Sequence, residues 1–281
     1  MRAFLKKTAQ PVLALGRFLL PLRFRQHLAV WIGRQSWLPG YYWLAMMIIR
    51  DMADTDPNTY NRFIWTKHIG FSTMYEHAND FGSDNLIPTR VLLFDHMTEY
   101  LEENGINPQK DIGSVFEVGC SSGFLLRHLE DKVFTSANVF EGIDIDEQAI
   151  ERGISYLDQH DSRIQITHAD MEELDGVIKD RRYDLFLCAG VLRYLTKAEA
   201  SGVVRSMLCH ADKLVVIAGC AHPLRDNSTL DDSELQEDGT FLHNIDAMVK
   251  DVGGKIHFRR WDGDRLFDGY TVYFIFCSLS A

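Results

Sequence analysis

The sequence predicts an α/β protein built on a doubly wound, mostly parallel seven-stranded sheet, preceded by a helical N-terminal extension. Three observations carry this. Strand-like and helix-like segments alternate from residue 114 to the end. Two of the strand candidates, Tyr183 to Cys188 and Lys213 to Ala218, are continuous apolar runs, as expected of parallel strands covered on both faces. The composition, 46% hydrophobic and 25% charged over 281 residues, supports a well-formed core and excludes a disordered chain.

Taken in order, residues 1 to 87 are rich in aromatics and are cut by Pro11, Pro21, Pro39 and Pro57, a pattern of short helices. The segment Val91 to Leu101 has helical spacing and stops at Asn104-Gly105. Strands are predicted at Ser114 to Val118, Asn138 to Ile143, Arg163 to Thr167, Tyr183 to Cys188 and Lys213 to Ala218. Helices are predicted at Phe124 to Leu129, Glu147 to Gln159, Lys197 to His210 and Leu242 to Val252. Asp146 reads as a helix N-cap rather than a ligand. Two closing strands, Lys255 to Trp261 and Tyr270 to Ser278, read as a hairpin that returns an antiparallel strand to the sheet. The predicted boundary separates an extension, 1–87, from a domain, 88–281.

Charge is unevenly distributed. The first fifty residues hold eight bases (Arg2, Lys6, Lys7, Arg17, Arg23, Arg25, Arg34, Arg50) and no acid, and the remaining 21 bases face all 40 acids. The net charge of -11 argues against a nucleic-acid partner. The basic start, rich in Phe, Leu and Trp, suits either an anionic membrane surface or packing against the chain's own acidic body or a second subunit in a homodimer. Five cysteines without Cys-x-x-Cys spacing read as reduced thiols. The apolar runs are too short or too interrupted to be a secretory signal or a membrane span. The expected location is therefore the cytoplasm, free or at the inner membrane face.

In an open parallel sheet the ligand lies beyond the carboxyl ends of the strands. The first strand ends in Glu117-Val118-Gly119-Cys120-Ser121-Ser122-Gly123 and leads into a helix, where small residues admit a ligand to the backbone. The second ends in Gly142-Ile143-Asp144-Ile145-Asp146, and a carboxylate at Asp144 can accept from both hydroxyls of a ribose. The pattern Glu-x-Gly-x-x-x-Gly departs from the Gly-x-Gly-x-x-Gly of dinucleotide enzymes, and its acidic start suits a ligand with a positive end.

These residues resemble the cofactor motif of class I S-adenosylmethionine-dependent methyltransferases. The resemblance runs from residue 114 to 220, and less specifically to the end of the chain. It implies a Rossmann-like methyltransferase fold using S-adenosyl-L-methionine and releasing S-adenosyl-L-homocysteine. It further implies that Gly119, Cys120, Ser121 and Gly123 line the methionine and ribose, that Glu117 anchors their loop, and that Asp144 holds the ribose. Ile145 would pack on the adenine, Asp170 and Met171 of His168-Ala169-Asp170-Met171 would clamp it, and Ala189 would lie in the stretch that closes over the methionine.

A methyl transfer to oxygen benefits from a base. His222 and His243 are the candidates near the open strand ends, each weighed against a loop or packing role. Arg193, Tyr194, Arg225 and Asn244 are candidate acceptor ligands. Asp226-Asn227 is similar to the Asp-Asn pair of metal-dependent catechol-type methyltransferases, but the partner acid after the fourth strand is missing, so no metal is expected. The Asn/Asp-Pro-Pro-Tyr/Phe motif of base methylation is absent. The acidic run Asp231 to Asp238 reads as a solvated loop or a lid. The expected reaction is O-methylation of a small-molecule or glycan hydroxyl. Methylation of nitrogen or carbon, an RNA acceptor, and a cofactor-binding protein without catalysis stay open.

Overall fold

The structure, a computed structural model, describes residues 19–35, 37–38, 40–70, 86–267 and 270–280. Four of the bases in the basic N-terminus (Arg2, Lys6, Lys7, Arg17) and Asp268-Gly269 lie outside the described residues. The chain divides into two compact units, which among the described residues are 19–70 with 237–239, and 86–236 with 240–280.

The first unit is helical: α1 (Leu22–Gly33), α2 (Tyr41–Ile48), α3 (Asp51–Thr55) and α4 (Pro57–Thr66). Pro57 takes the first helical position of α4 while the Asp56 carboxylate accepts from the Thr59 amide at 3.0 Å, a start in which proline's missing donor costs nothing. Ala29, Ile32, Ala45, Ile49, Met52, Tyr60 and Ile64 form its core. The buried Arg25 is neutralised by a two-pronged pairing with Asp51, one prong at 2.8 Å. The Asn61 amide donates to the Gly239 carbonyl at 2.8 Å.

The second unit opens with α5 (Pro88–Glu103) and α6 (Pro108–Asp111) and then alternates. Its elements are β1 (Ser114–Val118), α7 (Phe124–His128), β2 (Val139–Asp144), α8 (Glu147–Gln159), β3 (Ile164–His168), α9 (Leu174–Ile178), β4 (Tyr183–Ala189), α10 (Lys197–His210) and β5 (Ala211–Gly219). Two-residue strands β6 (Glu234–Leu235) and β7 (Phe241–Leu242), α11 (Ile245–Asp251), β8 (Gly254–Phe267) and β9 (Tyr270–Leu279) complete it. The main sheet has seven strands in the order β3-β2-β1-β4-β5-β9-β8. Strands β1 to β5 pair in parallel, and β9 runs antiparallel between β5 and β8.

Side chains alternate across each strand, so the sheet separates two apolar layers. Val115, Leu185, Leu187, Leu214 and Val216 face one, with α5 and α7; Phe116, Val118, Phe186, Cys188, Val215 and Ile217 face the other, with α10. The amphipathic α8 begins as expected, with Asp146 as N-cap accepting from the Ala149 amide at 3.2 Å. Its Gly153 lets the helix lie against the loop after β1: a Cβ there would stand 2.4 Å from the Ser122 carbonyl.

Candidate active site

Strand register brings the site together. Val118 pairs with both Ile143 and Cys188, and Ile143 with Thr167, so four strands end in one row. The residues that follow, Gly119, Asp144, His168 and Ala189, stand side by side along the edge where β1 separates β2 from β4 and strand order reverses.

The loop after β1 turns sharply. The Gly119 and Cys120 amides both donate to the Ile143 carbonyl, at 2.8 and 2.9 Å, and the Gly123 amide closes the turn on the Cys120 carbonyl. Gly119 and Gly123 have φ of 77° and 83°, and Ser121 adopts the same left-handed region at 52°. A Cβ at Gly119 would stand 2.3 Å from Val191, which packs across from the β4 loop. The Cys120 thiol is buried inside the loop, and burial pushes its pKa well up, so it acts as a small apolar side chain.

Behind this loop, Glu117 is 1% exposed and its Oε2 has no hydrogen-bond partner among the described residues. Burial pushes its pKa well above the usual carboxylate range, and the Arg90 guanidinium opposes that rise. Arg90 comes from the first turn of α5 and donates from Nη2 to the Ala189 carbonyl at 3.0 Å. A buried carboxylate oxygen without a partner, next to a guanidinium, is complementary to the ammonium and carboxylate of an amino-acid group.

Asp144 is half-buried at the end of β2. Its Oδ2 accepts from the Ser121 amide and its Oδ1 from the Asp146 amide, and burial raises its pKa to about 6. Ile145 follows, and its carbonyl lies 3.2 Å from His168 Nε2. Asp170 and Met171 begin a short 3-10 turn, where Asp170 Oδ1 accepts from the Glu172 amide and Glu173 reaches back to the Asp170 amide. That box fixes the place of Asp170 at the end of β3.

Residues 115–211 match the family model described as a methyltransferase domain. That stretch is a methyltransferase domain. Its fold is shared with solved structures. Magnesium protoporphyrin IX methyltransferase (ChlM) from Synechocystis PCC 6803 with bound SAM has 18% identity and a TM-score of 0.53, covering 80% of this chain and 98% of that one. An S-adenosylmethionine-dependent methyltransferase from Clostridium acetobutylicum ATCC 824 has 11% identity and a TM-score of 0.53, covering 76% and 99%. The CcbJ methyltransferase from Streptomyces caelestis has 15% identity and a TM-score of 0.50, covering 71% and 93%. At these identities the likeness is one of fold. No curated protein sequence matches the chain. The residues fit the cofactor of this methyltransferase domain: the unpartnered Glu117 oxygen, the cradle at Gly119 and the carboxylate at Asp144 lie along one edge.

On the acceptor side of the methyltransferase domain the two predicted bases prove to be occupied. His243 is buried, with Nε2 2.9 Å from the Leu192 carbonyl and Nδ1 2.7 Å from the Ser233 hydroxyl. A carbonyl can only accept, so Nε2 carries the proton and Nδ1 accepts from Ser233. Burial lowers the pKa of the ring, which packs neutral in the fold. His222 accepts at Nδ1 from the Leu224 and Arg225 amides, and its protonated Nε2 faces the Glu234 carboxylate at 3.4 Å. Neither ring presents an open lone pair, a correction that only hydrogen-bond directions could supply.

The predicted acceptor ligands divide. Arg193 stacks over the Tyr194 ring, 5.6 Å from its centroid, and donates to the Thr240 hydroxyl at 2.9 Å. Arg225 pairs with Glu234. Asn244 is structural: it caps α11 and donates to the Ser228 and Leu230 carbonyls. Asp226 pairs with Arg259, which also holds Asp246 at 2.7 Å.

Three residues that the sequence does not assign to the site shape it. Arg90 has a signal, because a base in the first turn of a helix opposes the helix dipole and calls for another reason to be there. Glu234 sits in an acidic run with nothing to single it out. Asn227 is fully buried with its whole side chain engaged: Oδ1 accepts from the His222 amide and Trp261 Nε1, and Nδ2 donates to the Cys220 and His243 carbonyls.

Proposed function

We propose that this chain methylates a hydroxyl group of a small molecule or glycan, with residues 88–281 as the catalytic domain. The observation that carries the cofactor side is the buried Glu117 oxygen without a partner beside Arg90. When bound, S-adenosylmethionine supplies a methyl group already activated on a sulfonium, so the protein's task is alignment and exclusion of water. Glu117 and Arg90 hold the amino-acid end, the Gly119–Gly123 backbone lies along the ribose and methionine, Asp144 receives the ribose hydroxyls, and Ile145, Asp170 and Met171 bracket the adenine. Arg193 and Tyr194, on the turn after β4, orient the acceptor.

Glu234 supports the choice of oxygen. His222 Nε2–H and Arg225 direct its half-buried carboxylate, and it takes the proton that the acceptor hydroxyl gives up. His222 thereby becomes a positioning residue.

Two measurements test this. Calorimetric titration with S-adenosylhomocysteine should show binding that Asp144→Ala and Glu117→Gln weaken at least tenfold; undiminished binding in both overturns the cofactor site. Transfer of labelled methyl from the cofactor into matched alcohol and amine pools should label the alcohols, and Glu234→Gln should lower kcat with cofactor affinity unchanged. Label confined to amines overturns the choice of oxygen.

A further inference from the structure

We propose that the outward face of α1 docks the protein on an anionic lipid bilayer. The helix presents two faces. Arg25, Ala29 and Ile32, at i, i+4 and i+7, are buried in the first unit. The opposite ridge, Phe24, His27 and Trp31 at i, i+3 and i+7, lies in solvent, with Phe24 55% and Trp31 58% exposed. Leu19, Leu20 and Leu22 at the helix start are also exposed, and Trp37 beyond its end is 73% exposed. The exposed Arg23 and Arg34 border the same ridge.

This distribution defines the occupant. Apolar side chains standing free along one ridge need a partner that removes them from water, and Trp beside Arg is the pairing that sits at a headgroup boundary. Charge selects an anionic surface, because the exposed Arg23 and Arg34 border the ridge and the first fifty residues hold no acid to offset them. A second copy meeting this face would set arginines against arginines. A nucleic acid would use Arg and Trp but leave the leucines and Phe24 in water. Among the described residues no helix is long and apolar enough to cross a membrane, so attachment is to the surface.

Co-sedimentation of the full chain with vesicles of phosphatidylcholine alone, or with one quarter phosphatidylglycerol, tests this. The chain should bind the anionic vesicles, and 0.5 M NaCl should weaken binding. F24S/W31S should reduce binding at least tenfold with unchanged circular dichroism and Tm, since both side chains are exposed. R23Q/R34Q should cost about tenfold on anionic vesicles and nothing measurable on neutral ones. Absence of vesicle binding overturns the proposal, as does binding that F24S/W31S leaves intact. A dimer by light scattering that F24S/W31S dissolves overturns it in favour of self-association, and displacement from vesicles by RNA overturns it in favour of nucleic acid.

Discussion

Asp144 Oδ2 accepts the Ser121 amide at 2.8 Å, so the carboxylate that ends β2 also holds the crest of the loop that follows β1. The shape of that loop therefore depends on one side chain, and in the proposed role of Asp144 disturbing it alters ribose recognition as well.

The first expectation concerns pH. With a pKa of about 6, Asp144 protonates in mildly acidic solution and loses its ability to accept freely from ligand hydroxyls. S-adenosylhomocysteine affinity should fall as pH drops below about 6, approaching tenfold per unit for one linked proton. Asp144→Asn should bind weakly throughout and lose this slope. Stability of the ligand-free fold runs in the opposite sense: a carboxylate whose folded pKa is raised stabilises most below its unfolded pKa, and that contribution is lost as pH rises through about 6. Calorimetry and urea denaturation from pH 4 to 8 check the two trends.

Ser121→Gly should stabilise the protein. A non-glycine residue at φ 52° carries a steric cost that glycine avoids, and the amide bond to Asp144 is kept. The expected gain is about 0.5–1 kcal/mol, read from the urea midpoint at unchanged slope.

Arg90→Gln should weaken S-adenosylhomocysteine binding by about tenfold to a hundredfold, the range of a charge-assisted contact. Binding of 5′-methylthioadenosine, which lacks the amino-acid end, should be unchanged. Equal losses for both ligands would assign Arg90 to loop packing through the Ala189 carbonyl instead.

Asn227→Ala should cost about 2–4 kcal/mol, because it leaves buried groups on the β5 loop, the start of α11 and β8 without partners. Asn227→Asp should fare little better, since a carboxylate cannot donate to the Cys220 and His243 carbonyls. Thermal unfolding of both variants measures this.

Much of the architecture was legible because local pattern and global fold agree. The apolar runs at Tyr183 and Lys213, the amphipathic repeat from Glu147 to Gln159 and the Asp146 cap each specify their element without help from distant contacts. Asp144 and the Gly119 loop were legible because a strand end and small residues mark them. Arg90 was not, since only tertiary packing carries α5 to the Ala189 carbonyl. Nor were the roles of His222 and His243, because residue type does not reveal where each ring nitrogen points. The closing hairpin announced an antiparallel strand, while its place between β5 and β8 follows from pairing that adjacent sequence does not encode.

That insertion bears on how the protein is made. As a ribosome releases the chain from its N-terminal end, β5 emerges with one edge whose permanent neighbour, Tyr270–Leu279, is still untranslated some fifty positions downstream. Until that strand arrives, Val215 to Gly219 present open amides and carbonyls that any other nascent strand could join. The strand that closes this edge of β5 is thus made well after it, and that edge stays open until β9 has left the exit tunnel.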